Sequence, residues 1–146
     1  MIERRSPRTD LVRLEGWERR LAALANQWRH RPYAYGVTDC GRFMIEAVTA
    51  VTGAVLLEGV TWPRGWLGIA KFMIANGWDS VESTMDDLLP AMETAASRRG
   101  DIVSFVRGDE PHLAVRVGDT ALSPGADGLL AFPRPTWRRA WLVGAP

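Results

Sequence analysis

The hydrophobic pattern changes period once along the chain, around Arg99-Gly100-Asp101, and this change limits the fold more than any other feature. Before it, apolar residues recur at three- and four-residue spacing, as in helices with one buried face. After it they form short runs broken by turn residues, as in strands. Helices first and strands last argue for an α+β fold with an antiparallel sheet. A chain of 146 residues can bury one core without disulfides or metals to staple it.

Leu11, Leu14, Trp17, Leu21, Leu24, Ala25 and Trp28 predict a helix over 10–28, and Pro32 ends any continuation. Phe43, Met44, Ala47, Val48 and Val51 form the buried stripe of a second helix over 40–52, with Gly53 as its stop. A third helix fits 66–75, stopped by Asn76-Gly77, and a short fourth fits 85–89. Strands are expected at 102–106, 113–117, 120–122, 129–132 and 137–143, with Pro124-Gly125 and Asp127-Gly128 as turns. Residues 1–9 read as a flexible tail and 10–146 as a single domain.

A formal net charge of +1 makes no global electrostatic case for nucleic acid or an anionic membrane. The first thirty-one residues are locally rich in arginine, which most often marks a solvated helix face and less often a contact with a large partner. No run of eighteen apolar residues predicts a membrane span, and the opening residues lack the apolar core of a signal peptide. The single cysteine excludes an internal disulfide and a multi-cysteine zinc site. His30, Cys40 and His112 lack the further spaced ligands of a metal centre, so no metal or cofactor is expected.

That cysteine, Cys40, follows Asp39 at the start of the second predicted helix. Asp is a good N-cap, so Cys40 falls in the first turn, where free N–H groups and the helix dipole favour an anion. A thiol held there is expected to have a lowered pKa. A cysteine nucleophile also needs a base and a group that orients the base. His30 lies between Arg29 and Arg31 at a helix end, where a histidine can interact with the last carbonyls. His112 opens the apolar strand Leu113-Ala114-Val115. Alone, a cysteine is more often a small buried hydrophobe and a strand histidine a structural residue. A helix-start cysteine followed by a strand-start histidine, in a chain of helices then strands, favours function.

Three motifs carry a resemblance. They are Pro32-Tyr33-Ala34-Tyr35-Gly36 with Asp39-Cys40-Gly41, then Gly100-Asp101-Ile102-Val103-Ser104-Phe105, then His112-Leu113-Ala114-Val115-Arg116-Val117-Gly118-Asp119. In order and spacing, over about residues 30–123, the chain resembles the NlpC/P60 superfamily of cysteine peptidases, with a papain-like core. The resemblance implies Cys40 as nucleophile, His112 as base and Ser123 nearest the third polar position, where serine is not the usual occupant. It places Tyr33, Tyr35, Gly41 and Arg42 on the substrate side, with Gly41 and Arg42 replacing the family's serine and glycine. The arginine- and tryptophan-rich first helix and Pro124-Gly125-Ala126-Asp127-Gly128-Leu129 are also similar to small phage and prophage tail-associated members.

That similarity implies a tail-tip or tail-assembly protein that hydrolyses amide bonds in cell-wall peptides without a cofactor. Its expected partners are a peptidoglycan peptide and other tail-tip or hub proteins, and its expected place is the virion tail, or the host cytoplasm before assembly. A weak or inactive structural tail subunit on the same fold is the alternative, and an amidase or acyltransferase ranks below it.

Overall fold

Gly16 sets the start of the first helix. In the computed structural model, which describes residues 6–146, it adopts φ 78°, a left-handed conformation that breaks a helix. Helix α1 therefore runs over Trp17–Trp28 instead of beginning at Asp10. The backbone before Gly16 is used elsewhere. Val12 forms a parallel bridge with Ala145, and the Leu14 N–H donates to the Val51 carbonyl. Leu11 is buried by that pairing, so its place in the apolar pattern reflects a core role outside any helix. The expected tail falls partly outside the described residues, and within them the Arg8 N–H donates to the Leu88 carbonyl.

Helix α2, Cys40–Thr52, matches the sequence expectation at both ends. Asp39 caps it, its carboxylate accepting the Arg42 N–H at 2.8 Å, and Gly53 closes it at φ 80°. Its stripe of Phe43, Met44, Ala47, Val48 and Val51 is buried against α1 and the sheet, and Phe43 packs on Trp28 with ring centroids 5.1 Å apart. Helix α3, Trp66–Ala75, also lies where expected, but none of its residues is buried. Helix α4, Val81–Leu88, starts four residues before the expected position. A capping box explains the earlier start: the Ser80 side chain accepts the Ser83 N–H, and the Ser83 hydroxyl accepts the Ser80 N–H.

Six strands follow: β1 Ala91–Met92, β2 Ile102–Arg107, β3 Glu110–Arg116, β4 Thr120–Gly125, β5 Gly128–Pro133 and β6 Trp137–Trp141. They form one antiparallel sheet in the order β1-β6-β2-β3-β4-β5, which with the preceding helices gives the expected α+β architecture. Pro124 and Gly125 belong to β4 instead of a turn, and Gly128 opens β5. The missing N–H of Pro124 costs no ladder bond, because the β3–β4 pairing runs only to Leu122. The sheet has two apolar faces. Ile102, Leu113 and Val115 join the main core with α1 and α2, while Val103, Phe105, Ala114, Ala121 and Ala140 form a smaller cluster on the other face. None of the helices among the described residues is long and apolar enough to cross a membrane.

Candidate active site

Asp39 and Cys40 are shaped by the loop before them. One Asp39 oxygen caps α2, and the other accepts the Gly36 N–H at 2.6 Å. Gly36 takes φ 79° and lies so close to Pro63 that a Cβ there would sit 2.0 Å from the Pro63 carbonyl oxygen. Glycine at this position lets residues 33–39 fold back against the loop that carries Trp62. Cys40 thus enters the first turn of α2 at 7% exposure, on the wall of a cavity of about 380 Å³.

The thiol pKa moves opposite to the sequence expectation. Burial raises it to about 11. The backbone N–H groups at Leu113, Cys40 and Gly41 pull it down but do not outweigh burial, and the Asp39 charge adds to the rise. At neutral pH the sulfur is a thiol. Burial and the Arg107 charge lower the pKa of half-buried His112, against Glu110, so its imidazole is neutral at the same pH. The resting pair is uncharged on both sides.

Both residues border the cavity, but no hydrogen bond joins their side chains. Successive strand residues point to opposite faces. Leu113 turns toward the core that contains Cys40, while the His112 ring stacks on its cross-strand partner Phe105, with centroids 5.6 Å apart. Ser123 is buried, and its hydroxyl donates to the Leu113 carbonyl at 2.7 Å, so it anchors β3 beside His112 and makes no bond to the imidazole.

Tyr33 and Tyr35 line the cavity edge to face, with centroids 5.0 Å apart. Burial, with the Cys40 thiolate that forms at high pH and the Asp39 carboxylate, raises the Tyr33 pKa, which keeps its phenol protonated. Gly41 also lines the cavity, whereas Arg42 does not, and the buried Arg42 Nε has no partner among the described residues. The structure gives a reason for glycine at 41. A Cβ there would meet Trp62 Cζ2 at 3.0 Å, so the Trp62 ring occupies the space a side chain would need. Trp62 is not among the residues that sequence reasoning marks for the site, although the Trp62-Pro63 pair just ahead of Gly65 is a visible signal. The Trp62 indole N–H is buried and has no partner among the described residues. His30 is exposed at the end of α1, outside the cavity.

A helical layer followed by an antiparallel sheet is an arrangement found among solved structures. The chain is similar to the crystal structure of the NlpC/p60 domain of the peptidoglycan hydrolase SagA, with a TM-score of 0.55 and 15% identity, over 86% of this chain and 97% of that one. At that identity the likeness is one of fold. The chain belongs to the family described as a domain of unknown function, DUF6950, whose model matches residues 12–143. No curated protein matches it in sequence.

Proposed function

We propose that the protein is a thiol-dependent hydrolase of amide bonds in cell-wall peptides, with Cys40 as nucleophile and His112 as base. The observation that carries this reading is the position of Cys40: the first turn of α2, on a cavity wall that His112 also borders. The proton on Cys40 Sγ passes to the neutral imidazole as sulfur bonds to the substrate carbonyl carbon. The Cys40 backbone N–H at the helix start supports the developing oxyanion. His112 then returns the proton to the leaving amine, and the C–N bond breaks to leave a thioester on Cys40. Water attacks the thioester, giving one proton to His112. The carboxylic product leaves, and the thiol is restored from that proton. For this sequence the His112 ring must turn from Phe105 toward Cys40. Ser123 serves by holding β3, and Tyr33, Tyr35 and Gly41 shape the substrate side, which Arg42 does not reach.

The test is release of soluble fragments from purified peptidoglycan. Cys40→Ala and His112→Ala are each expected to abolish release while leaving the circular dichroism spectrum unchanged. Full release by Cys40→Ala protein overturns the reading.

A second reading, a structural tail subunit with a silent site, is favoured by the raised thiol pKa and the missing Cys40–His112 hydrogen bond. The resemblance to tail-associated proteins supports a place in the virion tail under either reading. Largely exposed Trp66, Leu67 and Ile74 would suit coverage by a neighbouring tail-tip or hub subunit. Co-sedimentation of the protein with assembled tail particles tests that placement. An intact site with no release from peptidoglycan would select the structural role.

A further inference from the structure

Helix α3 is apolar on every side except at Lys71, a pattern that normally belongs to a buried helix. Here its inner residues Ile69, Phe72 and Met73 face the cavity beside Cys40. The cavity volume lies within the roughly 300–1,000 Å³ typical of sites for small ligands. Its wall is a run of aromatic rings. Trp62 abuts Gly41 at the α2 start, Phe72 lies 5.5 Å from Trp62, and Trp78 lies 5.9 Å from Phe72. The Trp78 indole N–H is held by Asp87 at 2.7 Å, which fixes the far end of the run.

The charge nearest the thiol is not free to pair with a ligand. Both Asp39 oxygens already accept backbone N–H groups. Asp79 and Glu110 also border the cavity and Asp87 holds the Trp78 edge, but the lining between Trp62 and Trp78 on α3 has no charged side chain. A charged group moved there would lose hydration, and the Trp62 indole N–H is a single neutral donor that does not replace it. An uncharged apolar group would instead cover aromatic surface.

We infer that this cavity receives an uncharged hydrophobic group, aromatic or a linear aliphatic chain, attached to the amide that Cys40 attacks. The site therefore selects substrates that carry such a group beside the cleaved bond, and α3 is the wall that reads it. The selection of substrate rests on the hydrolase reading, whereas the occupancy of the cavity does not.

Alkyl methanethiosulfonates test the cavity without any turnover. The Cys40 thiolate attacks the sulfenyl sulfur, an S–S bond forms and methanesulfinate leaves. Corrected for their rates with glutathione, the octyl reagent is expected to modify Cys40 at least about tenfold faster than the methyl reagent. A ratio under about twofold overturns the inference. Ala70→Trp fills the space from α3 and is expected to bring the ratio near one, and an unchanged ratio in a folded variant counts against the cavity as its cause. A measurement on the unaltered protein stands beside it. Octanamide should protect Cys40 from iodoacetamide where acetamide at equal concentration does not, and equal protection overturns the inference. If the octyl preference holds and peptidoglycan release fails, the hydrolase reading falls alone. If release holds without the preference, the cavity inference falls alone.

Discussion

At Cys40, two effects with opposite signs meet. A helix start favours the thiolate, and burial disfavours it, and burial wins to put the pKa near 11. An ordinary thiol in the unfolded chain ionises near 9, so the folded state holds its proton to higher pH. Below pH 9 both states are protonated and the group contributes nothing that varies with pH. Between about 9 and 11 the unfolded chain releases the proton first, and stability falls as pH rises. The fall attributable to Cys40 is roughly 2–3 kcal/mol. Urea titrations of the protein and of Cys40→Ala should therefore converge across that window, and parallel curves would refute the raised pKa. Labelling by iodoacetamide should climb about tenfold per pH unit toward pH 11, with no plateau near neutrality. The cap, the cysteine and its place in the first turn were legible in Asp39-Cys40. The burial was not, because it depends on residues far along the chain, Trp62 and Leu113 among them.

Among the elements, α2 was readable to the residue, since a capping aspartate, an apolar stripe and a closing glycine all agree within one segment. Helix α1 was misread because Leu11 and Leu14 keep helical spacing while their backbone pairs with Ala145 and Val51. Nothing local announces such a partner, although Gly16 was a visible break. Strand β3 shows a different limit. Its alternation placed His112 and Leu113 on opposite faces, but which face α2 covers is a tertiary fact. Helix α4 started early because Ser80 and Ser83 satisfy each other's backbone, a cap visible in Asp79-Ser80-Val81-Glu82-Ser83. Ser80→Ala removes one half of that box and should cost about 1 kcal/mol, read as a lower urea midpoint at constant m-value. The indole of Trp78 packs near this end, so its fluorescence should report the same fraying.

For the whole molecule, Asp101 joins the sheet to both ends of the described chain. It is buried, and it accepts the Arg13 guanidinium at 3.0 Å, the Arg98 N–H at 2.8 Å and the Val143 N–H at 2.9 Å. Removing a carboxylate while its buried arginine remains is costly, and Asp101→Ala should lose roughly 3–5 kcal/mol. Asp101→Asn keeps an acceptor oxygen and should lose less. A midpoint for Asp101→Asn equal to that of the unaltered protein in chemical denaturation would deny the ion pair its part. The motif Gly100-Asp101 was legible as one of the three motifs of the resemblance, yet its use as a clasp was not, since Arg13 and Val143 lie 130 residues apart. That separation orders the events of folding. During synthesis Arg13 leaves the ribosome long before Val143 exists, so the clasp is among the last contacts to close, and the early helices must persist for much of translation with one flank still open to chaperones.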